Sequence, residues 1–194
     1  MSYLRAMALR PILIAPDPQL KQVSEAVTEV TDDLHRLMDD MLETMYAAPG
    51  IGLAAIQIGV AKRIIVIDVG KPKAETEDGD DEEKSKERDP DPMFFVNPQI
   101  VWASDDKVLC EEGCLSVPDL YEEVERPSRV KVRFVDYLGA PREIDCEGML
   151  AVCIQHEMDH LEGVLFIDHL SRLKREMMLK KLAKARKLSA RESV

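Results

Sequence analysis

Apolar residues recur with a helical period between residues 32 and 48. They fall at i, i+3, i+4, i+7, i+8, i+11 and i+12, which lie on one face of an α-helix. These positions are Leu34, Leu37, Met38, Met41, Leu42, Met45 and Tyr46. Thr31 or Asp32 can cap the first turn. The pattern predicts an amphipathic helix whose apolar stripe, methionines included, packs in the core.

Strand patterns dominate the middle of the chain. Five segments combine apolar runs or alternation with turn residues at their ends, namely residues 62–69, 93–102, 107–110, 129–136 and 142–146. No helical pattern separates the last four, so we expect antiparallel pairing. Residues 149–154 are apolar all round a helix, which indicates burial. We therefore predict an α+β fold, with antiparallel sheets packed around this central helix and further helices near both ends.

Composition and charge divide the chain unevenly. Its 194 residues are 45% hydrophobic, enough for one domain with a sizeable core. Residues 71–92 contain ten acidic residues, five basic residues and three prolines, which predicts a solvated, disordered insertion. Four cysteines without a secretion signal indicate reduced thiols and a cytoplasmic location.

The C-terminal segment is strongly basic. Residues 172–194 carry nine Lys/Arg against two Glu, although the whole chain has a net charge of −11. We expect Leu170, Leu173 and Met177 to dock this helix on the domain. Beyond them the helix is either a solvated end or a projecting basic surface for nucleic acid. It lacks an apolar face for a membrane, and no long uncharged apolar stretch occurs elsewhere.

The sequence Gln-His-Glu-Met-Asp-His at residues 155–160 carries the most specific chemistry. His156 and His160, four residues apart, share one helix face and can bind one metal ion. Glu157 then lies beside the metal, where a carboxylate can hold and deprotonate a water. Ordinary histidines on a solvated helix would also fit the spacing, but the apolar residues before the motif place it in the interior. The central helix is thus predicted to bind the metal.

A third metal ligand is not found downstream of the motif. The extended metalloprotease pattern needs a histidine where Phe166 stands, and Glu176 and Glu192 lie in the basic segment. An upstream cysteine is therefore the best candidate. Cys114 has the most suitable context, between a glycine and a proline that ends the segment. The other three cysteines, Cys110, Cys146 and Cys153, fit better as small core residues.

Three segments together resemble the signature motifs of the peptide deformylase family. They are Gly-Ile-Gly-Leu-Ala-Ala-Ile-Gln at residues 50–57, Glu-Gly-Cys-Leu-Ser at 112–116, and the histidine motif at 155–160. Residues 50–57 match neither a dinucleotide-binding fingerprint nor a phosphate-binding loop. The resemblance runs from about Arg10 into the C-terminal helix and omits the acidic insertion.

The resemblance implies removal of the formyl group from the N-terminal formyl-methionine of new bacterial proteins. It implies that Cys114, His156 and His160 bind the metal, that Glu157 is the general base and acid, and that Gln57 and the Leu115 N–H stabilise an oxyanion. A peptide would add as a strand along Ile51, Gly52 and Gly113, with its methionine in a pocket formed by Ile51, Met149 and Val152. The metal in this family is typically Fe(II), and the ligands also accept zinc, nickel or cobalt.

The predicted organisation follows from this resemblance. Residues 1–171 form a catalytic domain that includes the insertion, and residues 172–194 form a basic helix. In similar bacterial proteins this helix contacts the ribosome surface, so we expect a ribosomal partner and neither DNA nor membrane. Two other functions fit parts of the sequence: a zinc endopeptidase with the same helix, and a binding module with a structural metal. The first lacks its downstream ligand, and the second gives Glu157 no role.

Overall fold

The computed structural model describes residues 8–72 and 88–192. Its α-helices are α1 (Asp32–Ala47), α2 (Gly148–Leu161) and α3 (Arg172–Glu192). Its strands are β1 (Gly52–Ala54), β2 (Ile64–Ile67), β3 (Lys71–Pro72), β4 (Arg88–Asp89), β5 (Met93–Ala103), β6 (Lys107–Cys114), β7 (Val117–Pro127), β8 (Arg129–Val135) and β9 (Pro141–Glu147). Short 3-10 helices cover Pro18–Lys21, Ala55–Ile58 and Phe166–His169.

The sheets are antiparallel throughout the described residues. The main sheet has the order β1-β2-β5-β8-β9, which leaves β1 at an edge. Strands β6 and β7 form a separate long hairpin, and β3 pairs with β4. The predicted α+β fold with antiparallel sheets is confirmed, and each of the five predicted strand segments contains a strand.

The first helix forms as its pattern predicts. The Thr31 hydroxyl caps α1 by accepting a hydrogen bond from the Leu34 N–H. Four members of the apolar stripe are buried in a cluster with residues of β1 and β2, namely Leu34, Met38, Met41 and Met45. Leu37 and Leu42 are half-buried, and the prediction is wrong for Tyr46, which is exposed. This packing fixes the turn at residues 48–51, which leads directly into the edge strand.

Helix α2 lies in the interior. Ile154 and Leu161 pack on Phe95 and on residues of β2 and β8, in a cluster that also contains Ala151 and Cys153. Both histidines of the motif are buried, with His160 fully inaccessible. The apolar run before the motif therefore acts as the prediction requires: it carries the polar residues into the core.

Helix α3 docks in a different register from the predicted one. Leu173 and Met177 are 69% and 51% exposed, whereas Met178 and Leu182 are buried. These two residues pack on Phe166 and other members of an apolar cluster. Two ion pairs at the base of the helix accompany this docking, Arg175 with Asp168 at 3.0 Å and Lys174 with Glu122 at 2.7 Å. Of the expected docking residues Leu170, Leu173 and Met177, only Leu170 packs against this cluster. The prediction is wrong for Leu173 and Met177, because apolar residues distant in sequence bury the other face.

Several other predictions have mixed outcomes. The two ends of the predicted insertion pair as β3 and β4, so they are not irregular. Residues 73–87 lie outside the described residues, and their predicted disorder stays a prediction, as does the division at residue 171. All four cysteines are free thiols, although Cys110 is only half-buried. Within the described ranges, no helix has the length and apolarity needed to cross a membrane.

Candidate metal site and cleft

Three candidate metal ligands converge from two elements. Helix α2 supplies His156 and His160, and the end of β6 supplies Cys114. One ligand atom from each residue lies within 4.8 Å of the other two. The Cys114 Sγ is 3.3 Å from the His160 Nε2. One turn of helix and one strand end therefore place three soft or borderline donors around one point.

A buried ionic network holds the first histidine. The His156 Nδ1 is 2.7 Å from the Glu112 Oε2, so that nitrogen carries the proton and Nε2 is left as the metal donor. Arg126 donates to both oxygens of Glu112 and, through Nη1, to Asp159 at 2.9 Å. Burial alone would raise the pKa of Glu112, but hydrogen bonds from His156 and Arg126 outweigh it and lower the pKa to about 2. Glu112 is therefore an anion that fixes the ring of His156.

Cys114 and Glu112 also favour the protonated form of His156. Burial acts to lower the pKa of His156, but the side chains of Cys114 and Glu112 raise it well above its ordinary value. The pKa of His160 is lowered by burial and by the charge of His156, which keeps its ring neutral. Two imidazoles and a cysteine sulfur, with an anion behind one ring, form a donor set that fits a divalent transition metal, whose binding would displace the proton from the His156 Nε2.

Glu157 lies beside these ligands and is not one of them. Its side chain is buried, and its Oε2 has no hydrogen-bond partner among the residues that the structure describes. Burial, more than any charge nearby, raises its pKa to about 7. An orphan carboxylate with that pKa can both accept and donate a proton near neutral pH.

Gln57 is oriented by its own backbone turn. Its Oε1 accepts a hydrogen bond from the Ala54 N–H at 2.8 Å, which directs the amide nitrogen away from β1. That nitrogen lies 3.1 Å from the Ser116 Oγ and 3.6 Å from the Cys114 Sγ. Leu115 follows Cys114 in the turn between β6 and β7. Both residues thus border the three ligands.

A cleft of about 610 Å³ opens over this group. Its lining includes most of the residues singled out from the sequence, namely Ile51, Gly52, Gly113, Cys114, Leu115, Met149, Val152, His156 and Glu157. Gln57 and His160 lie beneath the lining, since both are almost inaccessible. The structure therefore brings all the predicted site residues together.

Glycines let the cleft walls approach closely. A Cβ at Gly52 would lie 2.5 Å from the Glu157 Oε1, and one at Gly113 would lie 2.5 Å from the Tyr121 ring. Either contact is shorter than packed atoms permit. Gly52 is therefore needed for β1 to pack closely on α2.

The open edge of β1 faces the cleft. The Asp68 N–H donates to the Ile51 carbonyl at 2.9 Å, and Gly52 is the next residue along the pairing with β2. Since hydrogen bonds alternate in an antiparallel ladder, the N–H and C=O of Gly52 point away from β2. They are available to an additional strand.

Sequence reasoning missed part of the site. Arg126 lies in β7, a strand too rich in acidic residues to show a clear alternation. Glu112 belongs to a recognised motif, but no role was assigned to it. A glutamate two positions before a metal-ligating cysteine is the signal that could have identified it. Cys153 packs in the core as expected and also lines the cleft.

Comparison with known proteins identifies the family. The protein-family model described as Polypeptide deformylase matches residues 9–176 of this chain. The chain belongs to this family. The peptide deformylase of Phenylobacterium zucineum (strain HLK1) is 62% identical over 178 residues, which are 92% of this chain and 97% of that protein. The resemblance seen in the three sequence motifs is confirmed.

Solved deformylase structures share the fold. The crystal structure of the Ehrlichia chaffeensis peptide deformylase has a TM-score of 0.83 and 40% identity, and the match covers 94% of this chain and 99% of that one. The class I type b peptide deformylase of Acinetobacter baumannii, bound to Met-Ala-Ser, has a TM-score of 0.72 and 31% identity. That match covers 84% of this chain and 99% of that one.

Proposed function

We propose that this protein is a metal-dependent hydrolase that removes the formyl group from the N-terminal formyl-methionine of newly synthesised proteins. One observation carries the proposal: the orphan carboxylate of Glu157 lies beside three converging metal donors at the wall of an open cleft. Membership of the deformylase family supports the same reaction.

Cys114, His156 and His160 would hold a divalent metal ion. When bound there, the ion supplies Lewis acidity, which brings the pKa of water toward about 7 and polarises a carbonyl oxygen. Glu112 keeps His156 in the tautomer that offers Nε2. The Cys114 thiolate neutralises one of the two positive charges.

Glu157 is the proton carrier in this proposal. Its carboxylate accepts a proton from the water whose oxygen adds to the formyl carbon. The proton then passes to the amine nitrogen as the C–N bond breaks, so that formate and a free N-terminus leave and one water is consumed. A pKa of about 7 suits both transfers.

Gln57 and Leu115 are proposed to stabilise the negative charge that develops on the formyl oxygen. The Gln57 oxygen is held by the Ala54 N–H, which keeps the amide nitrogen on the side of Cys114. The backbone N–H of Leu115 would be the second donor. Each preset donor of this kind is worth about 3 kcal/mol of barrier.

The peptide is proposed to bind as an added strand. Gly52 offers its open backbone groups on one side of the cleft, and Gly113 lies on the other. The methionine side chain would enter among Ile51, Met149 and Val152, which line the cleft. Binding of Met-Ala-Ser by the A. baumannii relative supports a short peptide with N-terminal methionine as the product.

Formate release tests the reaction. Protein purified without oxygen should release formate from formyl-Met-Ala-Ser and leave its peptide bonds intact. Cleavage of internal bonds instead would indicate an endopeptidase. Bound metal without either reaction would indicate a structural site.

We propose Fe(II) as the native metal, with zinc, nickel or cobalt able to occupy the same donors. The soft thiolate and the two imidazoles accept each of these ions, so the donor set is consistent with iron without selecting it. Metal analysis of protein isolated anaerobically tests this. Iron protein should lose activity in air as the iron and Cys114 oxidise, and zinc protein should decay more slowly.

We further propose that the basic C-terminal helix contacts the ribosome surface. Lys180, Lys181 and Lys184 are exposed on the part of α3 that Met178 and Leu182 dock, where they can reach phosphates. Gln at these three lysines, or truncation after Ala185, which removes Arg186, Lys187 and Arg191, should weaken ribosome binding. Either change should leave formate release within about twofold, because the docked residue Leu182 is retained. Binding by the full chain should fall steeply with salt. If both variants bound ribosomes as tightly as the full chain, α3 would have a structural role only.

A further inference from the structure

Asp68 joins three segments next to the cleft. Its side chain is buried at the end of β2 and accepts hydrogen bonds from the Gly70 N–H at 2.8 Å and the Asp91 N–H at 3.0 Å. Its other oxygen accepts from the Tyr46 hydroxyl, near the end of α1. One carboxylate therefore binds a helix end and the two chain segments that flank the β3–β4 ladder.

The backbone of Asp68 reaches the edge strand. Its N–H donates to the Ile51 carbonyl at 2.9 Å, the hydrogen bond that begins the pairing of β1 with β2. Strand β1 is only three residues long, so each hydrogen bond to it matters for its position. Ile51 and Gly52 line the cleft, and the open groups of Gly52 lie one residue beyond this hydrogen bond.

We infer that Asp68 is a positioning residue for peptide binding, which holds the Ile51–Gly52 edge in the geometry that an incoming strand requires. This inference rests on the proposed function. It also gives the segments flanking the acidic insertion a role, since Gly70 and Asp91 hold the carboxylate that sets the edge. Within the described part of the chain, the Asp68 side chain forms hydrogen bonds with Tyr46, Gly70 and Asp91 and none with the candidate metal ligands or Glu157. Its loss should therefore affect peptide binding before it affects chemistry.

The expected signature separates KM from kcat. Asp68→Ala leaves three donors without their acceptor, so the backbone N–H of residue 68 is held less firmly against the Ile51 carbonyl. The KM for formyl-Met-Ala-Ser should rise about tenfold, while kcat changes less than about threefold and bound metal is unchanged. The increase in KM should be smaller for formyl-Met-Ala, because this shorter peptide pairs with less of the Ile51–Gly52 edge. Asp68→Asn should restore KM to within about threefold, because its amide oxygen accepts from both N–H groups and its NH₂ can donate to Tyr46.

Controls keep the test decisive even if Asp68→Ala is poorly folded. Tyr46→Phe removes one donor from the exposed side and should raise KM about two- to threefold. Asp105→Ala, an exposed acid in the turn between β5 and β6, should change nothing. Unchanged KM in both Asp68→Ala and Tyr46→Phe would overturn the inference. Loss of kcat and metal together in Asp68→Ala, with Tyr46→Phe unchanged, would also overturn it. Absence of formate release by the wild type would instead refute the proposed function.

Discussion

Replacement of Gly52 by alanine should damage catalysis by displacing the carboxylate of Glu157. The new Cβ would lie 2.5 Å from the Glu157 Oε1 and 2.8 Å from the Cys153 Sγ, whereas ordinary contact begins at 3.4 Å. The Glu157 oxygen must therefore move by about 0.9 Å, the difference between 3.4 and 2.5 Å. Since a displacement of about 1 Å in a reacting group can cost about 100-fold in rate, we expect kcat/KM to fall about 100-fold.

The assay is formate release from formyl-Met-Ala-Ser, with bound metal measured on the same samples. Metal content should be unchanged because Glu157 is not one of the converging donors. Gly50→Ala is the matched control. Its Cβ would meet the end of the flexible Leu115 side chain at 2.7 Å, which can rotate away, so kcat/KM should fall less than about fivefold. A Gly52→Ala protein with nearly normal kcat/KM, or one that loses its metal, would refute the reasoning.

Three further predictions address the base, the ligands and the docking of α3. Glu157→Gln should keep its metal and lose about 10²–10⁴ in kcat, because the proton carrier is removed; metal loss measured in this variant would contradict its assignment. Cys114→Ser should lose zinc or iron to a chelator much faster than the wild type, whereas Cys153→Ser should lower Tm and keep its metal; equal metal loss in both would leave the third ligand undecided. Burial acts to raise the pKa of Asp168, but hydrogen bonds from Lys21 and the Leu165 N–H and nearby positive charges lower it. The stability it supplies is therefore present above its ordinary pKa near 3.8 and lost as pH falls through the lower folded value. The Tm difference between wild type and Asp168→Asn should be largest near neutral pH and vanish in acid; a difference constant with pH would show that the charge contributes nothing.

Local patterns predicted what depends on neighbours in sequence. The apolar stripe of α1 and the two histidines of α2 each follow from a helical period, and both are where the sequence places them. Cys114 could not be assigned in this way. It can be a ligand only if β6 ends beside α2, and no spacing within a short segment predicts that contact. Its assignment therefore depended on the family resemblance and on the absence of a downstream ligand.

Contacts between distant segments explain the misses. The buried face of α3 carries Met178 and Leu182, which pack in an apolar cluster formed with residues of other elements such as Phe166. Strand β7 was not predicted because acidic residues interrupt its apolar positions. Its one buried basic residue, Arg126, looks like a surface charge in the sequence. A buried arginine is stable only between two carboxylates that arrive from other elements, and this cannot be seen before the fold is known.

The placement of the ligands on two separate elements has a mechanical consequence. Cys114 closes the β6–β7 hairpin and lies 46 residues before His160, so an ion bound to both would cross-link the hairpin to the central helix. The main sheet does not pair with this hairpin, which carries one wall of the cleft. Removal of the ion should therefore make the β6–β7 hairpin more mobile, in addition to disrupting the reaction centre. We expect hydrogen exchange to quicken in β6 and β7 of the metal-free protein while the main sheet stays protected.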